Sequence, residues 1–207
     1  RKILNGLIKE NKNVLIVGGT GLYLKALLYD YKFTEENIIN DYSKYTLEEL
    51  VSKIKSINNS IEIDFNNRRR VERALQKIKN NAEITSNKNV KLYDFKLICL
   101  TRKKDNLYNN INLRVDKMIK DGLKEESYNL YQKNIHTRAI NTAIGYKELY
   151  LYFDKKSTLD EAIDKIKLNS RRYAKRQLTF FKNQFSDIKW YNLDEMDEED
   201  IIKDILS

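Results

Sequence analysis

Several residue types and patterns are scarce in this sequence, and each scarcity excludes some classes of protein. Proline is absent from the 207 residues, where average usage would supply about ten, while Lys, Asn, Ile and Tyr are abundant. We interpret this bias as the imprint of an AT-rich genome, not as a structural device. Cys99 is the single cysteine, so the chain forms no internal disulfide, which fits a reducing cytoplasm. Because it lies in the apolar run FKLICL, we expect a buried core thiol.

Long apolar runs and metal-binding side chains are also scarce. No apolar run reaches the roughly 18 residues that a membrane-spanning helix needs, and no secretory signal is visible. We therefore expect a cytoplasmic protein without a membrane partner. The one histidine, His136, lies in a polar loop and is assigned no role, and the sequence predicts no metal-ligating cluster.

Negative charge is in the minority. Lys and Arg number 39 against 30 Asp and Glu, which gives a formal net charge of +9. Such an excess favours a polyanionic partner, either nucleic acid or acidic lipid. Lysine enrichment follows partly from genome composition, so clustered arginines are the better evidence.

Apolar runs separated by helical periodicities predict an α/β fold with a small parallel sheet. Buried strands are predicted at 14–17 and 95–100, as parallel members of one sheet, with an edge strand at 188–191. Helices are predicted at 3–11, 22–29, 47–57, 67–79, 104–121, 123–132, 159–183 and 195–206, with capping boxes formed by Thr46 with Glu49 and Thr158 with Glu161.

The most informative segment is VLIVGGTGLYLKALL at 14–28, the pattern of a strand, a glycine turn and a helix. Gly18 and Gly19 let a ligand approach the backbone closely because neither carries a Cβ. The helix that follows offers unpaired N–H groups to an anion, and Thr20 places a hydroxyl in the same turn. On these grounds alone the segment is either a ligand-binding turn or an ordinary turn of an α/β domain.

Five stretches, in this order, resemble the tRNA dimethylallyltransferases, also called tRNA isopentenyltransferases. They are VGGTGLYLKALL (17–28), NNRRRVERAL (66–75), LTRKKDNLYNNINLRVDKMIKDGLKEE (100–126), AIGYKEL (143–149) and RRYAKRQLTFFKN (171–183). The resemblance spans nearly the whole chain. It implies a partial P-loop NTPase-like fold that transfers a dimethylallyl group from dimethylallyl diphosphate to the exocyclic amine of an adenosine beside the tRNA anticodon.

The family opens with a phosphate-binding loop and a catalytic Asp, and neither motif occurs in this sequence. We therefore expect the chain to be the C-terminal two-thirds of such an enzyme, a monomer, and inactive alone. The resemblance implies magnesium on the diphosphate, with ligands mostly outside this sequence. Residues 1–29 and 93–207 are predicted to form the α/β core, and 30–92 a helical insert that contacts tRNA.

The resemblance assigns transfer chemistry to two residues. Thr20 is the predicted catalytic residue, because the family has a threonine here that helps position the reacting amine and the leaving diphosphate; the alternative is a helix N-cap. Arg114 is the predicted ligand of the substrate diphosphate, whose oxygens suit the planar guanidinium in bidentate geometry. The alternative for Arg114 is a surface ion pair with Asp116 or Asp121.

Most predicted tRNA contacts lie in the last long helix. Cations recur there every four residues, at Lys167, Arg171 and Lys175 and again at Arg172 and Arg176, with aromatic residues between them. Such a stripe could follow a phosphate backbone, or it could be the charged exterior of an amphipathic helix. The full set of predicted tRNA-binding residues is Gly18, Gly19, Arg70, Arg73, Gly145, Tyr146, Arg171, Lys175, Arg176 and Gln177.

Two members of this set carry their own alternatives. Arg70 and Arg73 are three residues apart, so they share one helix face, and an arginine-rich face is either solvated or bound to phosphate. Tyr146 belongs to a GYK segment that approaches the substrate RNA in the family, and its ring either stacks on a base or packs inward.

Three other functions remain open at this point. They are a non-catalytic RNA-binding domain, a nucleotide kinase of the phosphate-loop superclass, and an adenylate prenyltransferase acting on free nucleotide. The sequence lacks the arginine-rich lid with the usual partners that a kinase carries. The basic helix and the arginine cluster favour tRNA over a small nucleotide.

Overall fold

The computed structural model describes residues 1–31, 41–61, 63–79 and 90–206. The chain divides into two compact units, the first made of Arg1–Ile16 and Leu22–Asp94, the second of Val17–Gly21 and Phe95–Ser207. The fold is α/β with a two-stranded parallel sheet, as the sequence predicts. The assignment of 30–92 as a tRNA-contacting insert stays a prediction.

The first unit is helical. It contains α1 (Lys2–Lys9), α2 (Gly21–Leu28) except its first residue, α3 (Leu47–Ile57) and α4 (Arg68–Lys79). The predicted capping box at the start of α3 is confirmed, with the Thr46 and Glu49 side chains each accepting the other's backbone N–H. Leu50 and Ile54 of α3 and Val71 of α4 are fully buried in its core, as their helical spacing predicts.

The second unit packs helices around a small sheet. Strand β1 (Leu97–Thr101) pairs in parallel with β2 (Ile188–Asn192), so the strands predicted at 95–100 and 188–191 are confirmed. The helices are α5 (Lys104–Met118), α6 (Lys124–Gln132), α7 (Arg138–Thr142), α8 (Tyr146–Phe153), α9 (Leu159–Gln184) and α10 (Glu198–Leu206). Residues Ile119–Leu123 join α5 to α6 across a kink, where Gly122 leaves the helical conformation with a positive φ of 108°.

Helix α9 is the long element against which α5 and α8 pack. Its predicted capping box is confirmed, because Thr158 accepts a hydrogen bond from the Glu161 N–H and the Glu161 carboxylate accepts one from the Thr158 N–H. Ala162 and Ile166 on its inner face join a buried cluster with Val115 of α5. Burial of this stripe fixes which of its side chains face outward.

The strand predicted at 14–17 is wrong. This segment forms no strand, and the exposed fractions of Leu15 and Val17 are 87% and 86%. An apolar run becomes a strand only where neighbouring strands pair with its backbone. The described residues offer this segment no such neighbour, and β1 pairs with β2 instead.

Cys99 is half-buried in β1, so the expectation of a fully buried thiol is also wrong. A two-stranded sheet covers fewer side chains than one that also contained the strand predicted at 14–17. The burial that remains raises the pKa of the Cys99 thiol. Among the helices that the structure describes, none combines the length and apolar character needed to cross a bilayer.

Candidate functional site

The glycine turn leads directly into α2, which begins at Gly21. Helix α9 holds this turn, because the Gln177 side-chain amide donates a hydrogen bond of 2.7 Å to the Gly19 carbonyl. A Cβ on Gly19 would stand 2.6 Å from the Gln177 amide nitrogen, and one on Gly21 would overlap the Phe180 ring. Close approach of the ring favours glycine at 21, and a side chain at 19 would displace the end of Gln177 from its hydrogen bond, whereas a Cβ on Gly18 would meet no atom within 4 Å.

Thr20 lies between the two constrained glycines and is exposed. Within the described ranges its hydroxyl has no hydrogen-bond partner, and α9 fixes the backbone on both sides of it. The Thr20 side chain therefore does not cap the N-terminus of α2, which was its alternative role. A hydroxyl on a fixed backbone is available to a ligand.

The cationic stripe of α9 divides into two parts. Lys167 forms a 2.6 Å ion pair with Asp116 of α5, and Arg171 donates a 2.6 Å hydrogen bond to the Asn112 side-chain oxygen. Their charged groups therefore tie α9 to α5. For these two positions the structure supports a packing role, and tRNA binding by Arg171 stays a prediction.

The other three cations of the stripe are Arg172, Lys175 and Arg176, and none of them takes part in a described ion pair or hydrogen bond with α5. All three are exposed, and none has a carboxylate partner among the residues that the structure covers. The Arg176 guanidinium lies 5.8 Å from the centroid of the Tyr173 ring. Unpaired cations on one rigid helix are the arrangement that a phosphate backbone requires.

A cavity of about 440 Å³ lies between α9 and the sheet. Its walls are formed by Thr101, Lys175, Leu178, Thr179, Lys182 and Trp190. The Thr179 hydroxyl donates to the Lys175 carbonyl and is thereby committed to the helix. Lys175 and Lys182 are the two cationic residues of this lining.

Arg114 is exposed on α5, and the alternative of an ion pair with a nearby aspartate is not observed. Asp116 pairs with Lys167 at 2.6 Å, and Asp121 pairs with Lys117 at 3.0 Å. In the described part of the chain the Arg114 guanidinium has no acidic partner. Its fork is free to bind a diphosphate.

Gly145 starts α8 with a positive φ of 106°. Its N–H donates a 2.8 Å hydrogen bond to the Glu148 carboxylate, which also accepts one of 2.7 Å from the Asn169 side chain on α9. Glu148 is only 3% exposed, so this buried carboxylate joins the glycine turn to α9. Helix α9 therefore anchors both glycine turns of the second unit.

Tyr146 faces inward and packs against the buried cluster of the second unit. Its hydroxyl donates a 2.6 Å hydrogen bond to Glu126, and this bond is the largest cause of the raised pKa of Tyr146. The geometry supports the packing alternative for this residue more than base stacking.

Arg70 and Arg73 lie on the exposed side of α4 in the first unit, whereas every other predicted site residue belongs to the second. Their neighbour Arg68 has a local role, because it pairs with Glu72 at 2.8 Å and donates to the Tyr42 carbonyl. The tRNA contacts of Arg70 and Arg73 stay predictions.

Magnesium finds no ready site in the part of the chain described. No three Asp, Glu, His or Cys side chains there come close enough together to hold a metal ion. These residues do not fit a magnesium centre by themselves, and no chemical step is assigned to the metal.

Comparison with known proteins identifies the architecture that carries this site. The IPP transferase family profile matches residues 1–184. The chain belongs to the IPP transferase family. A tRNA dimethylallyltransferase of Bacillus cytotoxicus is 42% identical over 203 residues, which cover 90% of this chain and 64% of that protein. The chain thus spans less than two-thirds of the length of this relative.

Solved structures of the family agree with the fold. The tRNA isopentenylpyrophosphate transferase of Bacillus halodurans superposes with a TM-score of 0.68 at 36% identity, covering 99% of this chain and 68% of that one. A eukaryotic dimethylallyltransferase acting on tRNA gives a TM-score of 0.74 at 21% identity, covering 99% of this chain and 58% of that one. The latter likeness concerns the fold alone.

Sequence reasoning missed the polar side chains that hold the site in place. Glu148, Asn112 and Asn169 all accept or donate across helix–helix contacts. Glu148 had a detectable signal, because an acidic residue three positions after a glycine is the spacing of an N-terminal cap. The two asparagines carried only the weaker signal of a polar residue close to an inward helix face.

Proposed function

We propose that this chain forms the RNA-facing part of a tRNA dimethylallyltransferase. The reaction joins the exocyclic nitrogen of an adenosine beside the anticodon to the allylic carbon of dimethylallyl diphosphate. The carbon–oxygen bond to the diphosphate breaks, diphosphate leaves, and the amine loses a proton. The observation that carries the proposal is that Thr20 is exposed between two glycines, Gly19 and Gly21, that contact the same helix as Lys175 and Arg176 belong to.

Thr20 is proposed to act at the reacting centre. A threonine hydroxyl both donates and accepts a hydrogen bond, so it can orient the attacking amine and the leaving oxygen together. Orienting the reactants lowers the activation barrier, because the entropy lost in bringing them together has already been lost when they bind. The contacts of Gln177 with Gly19 and of Phe180 with Gly21 support this role, because they hold the backbone on both sides of Thr20.

Arg114 is proposed to bind the diphosphate. An arginine–phosphate contact is charge-assisted and bidentate, and it strengthens as the leaving group gains charge. Arg114 has no competing carboxylate in the described chain, which supports this assignment.

Arg172, Lys175 and Arg176 are proposed to bind phosphates of the anticodon stem-loop. Enzymes that modify a base must take it out of its stack, and RNA loops are recognised largely through shape, single-stranded bases and backbone. Contacts to phosphates fix the register of the RNA without reading its sequence. Cations without ion-pair partners on one helix suit that task.

To test this proposal, the complete reading frame that contains this chain is expressed in a bacterial strain that lacks its own tRNA dimethylallyltransferase. Digested tRNA is then searched by mass spectrometry for adenosine carrying one dimethylallyl group. Wild type and Thr20→Ser should restore the modified nucleoside, whereas Thr20→Val, which keeps the shape and removes the hydroxyl, should lower it at least about tenfold.

Three other outcomes would replace the proposal. Stem-loop binding without any modified nucleoside would indicate a non-catalytic RNA-binding protein. Prenylation of free adenylate but not of tRNA would indicate an adenylate prenyltransferase. Full activity of Thr20→Val would remove the hydroxyl from the reaction.

A further inference from the structure

Gln177 lies in the RNA-binding region of α9, yet its side chain points to the protein's own backbone. Its amide nitrogen donates a 2.7 Å hydrogen bond to the Gly19 carbonyl, across 158 positions of sequence. The side chain is half-buried, unlike its exposed neighbours Lys175 and Arg176. Lys175 and Arg176 are therefore exposed to solvent, while Gln177 in the same turn of α9 contacts the glycine turn at Gly19.

Phe180 contacts the same turn one helical step further along. Residues three apart share a helix face, and this face meets Gly19 through Gln177 and Gly21 through Phe180. The Phe180 ring restricts where the glycine turn can lie. Only the hydrogen bond from the Gln177 side-chain amide fixes the orientation of the peptide group between Gly19 and Thr20. That peptide sets the direction of the Thr20 side chain.

We propose that Gln177 is a positioning residue for Thr20 and does not itself bind RNA. By holding the Gly19 carbonyl, it orients the peptide that carries Thr20 and joins this peptide to the helix whose cations are proposed to bind phosphate. This inference rests on the proposed function of Thr20. It replaces the expectation that Gln177 is a tRNA contact.

The experiment labels the glycines of the 207-residue chain with ¹³C at the carbonyl. The chain has only 6 glycines, so the Gly19 signal can be assigned by comparing variants. Loss of a hydrogen bond to a carbonyl moves its carbon resonance upfield. Gln177→Ala should therefore shift Gly19, while Asn183→Ala, which removes an exposed amide from the same helix, should not.

Gln177→Glu supplies a second readout that general loss of structure would not reproduce. At neutral pH its carboxylate cannot donate, so Gly19 should shift as it does in Gln177→Ala. As the pH falls below the carboxyl pKa, the protonated acid donates again. The Gly19 resonance should then move back towards the wild-type position, with wild type measured at each pH as reference.

RNA binding separates positioning from direct contact. For an anticodon stem-loop, Gln177→Ala should leave the slope of log affinity against log salt unchanged and should alter affinity by less than about threefold. A Gly19 resonance that does not respond to either variant would overturn the proposal. So would a salt slope reduced in Gln177→Ala as much as in Lys175→Ala. If wild type binds no stem-loop, the proposed function fails, while the carbonyl measurement still decides whether Gln177 holds the turn.

Discussion

Replacing both Lys175 and Arg176 by Ala should weaken tRNA binding through its electrostatic part. Of the five cations of the α9 stripe, Lys167 and Arg171 bind side chains of α5. The other three have no carboxylate partner among the described residues. Each phosphate contact contributes about 0.7 to the salt slope for single strands and about 0.9 for duplex. Loss of two contacts should therefore flatten the slope by about 1.4 to 1.8.

This change in slope has a direct consequence for affinity. Between about 50 and 200 mM salt, the double variant should lose roughly tenfold less affinity than wild type, because two fewer counterions are released. A fluorescence titration of a labelled anticodon stem-loop at four salt concentrations measures both slopes. Cognate and non-cognate stem-loops should be affected alike, since phosphates carry no sequence information.

The control is Lys167→Ala, which removes one charge from the same helix. Lys167 is already paired with Asp116, so this variant should change the slope by less than half as much. An unchanged slope in Lys175→Ala/Arg176→Ala would make the stripe a solvated helix face. A loss confined to the cognate stem-loop would mean that these side chains read bases.

Three further predictions concern single residues. Arg114→Ala should weaken binding of dimethylallyl diphosphate to the complete enzyme by roughly ten- to a hundredfold, measured by calorimetry, with stem-loop affinity nearly unchanged. Gly21→Ala should lower the free energy of unfolding by about 1–3 kcal/mol in urea, because its Cβ overlaps Phe180, whereas Gly18→Ala should cost less than about 0.5 kcal/mol. Tyr146→Phe should be less stable than wild type at pH 8, and the difference should shrink as the pH rises through the raised pKa of Tyr146.

The direction of the pH effect follows from the hydrogen bond. A raised pKa in the folded state means that the neutral phenol is stabilised, so its contribution is fully present below the unfolded-state pKa of about 10 and is lost above the folded-state pKa. A difference that grows at alkaline pH would contradict this. Equal costs for the two glycine substitutions, or equal effects of Arg114→Ala on both substrates, would contradict the other two predictions.

Local chemistry made much of the fold predictable. The capping boxes at Thr46 and Thr158 are confirmed because each depends on residues three positions apart. The inward stripe of α4 follows from helical spacing in the same way. The segment 14–17 failed because a strand depends on partners elsewhere, which its own residues cannot specify.

The site was predictable in its residue types and less so in its geometry. Glycines beside Thr20 and cations on α9 were evident in the sequence, but the hydrogen bond from Gln177 to Gly19 joins residues 158 positions apart. The pairing of Lys167 with Asp116 likewise depends on how α5 packs against α9. Such tertiary contacts decide which cations of a periodic stripe remain available.

Hydrogen-exchange mass spectrometry of the 207-residue chain, with and without an anticodon stem-loop, tests the central claim that the glycine turn and α9 form one RNA-facing surface. RNA should slow exchange in peptides covering 18–21 and in those covering the exposed turns of α9 around 172–176. Protection should weaken in both places together as salt is raised. Protection of α9 without the glycine turn, or of neither, would show that the two do not form one RNA-facing surface.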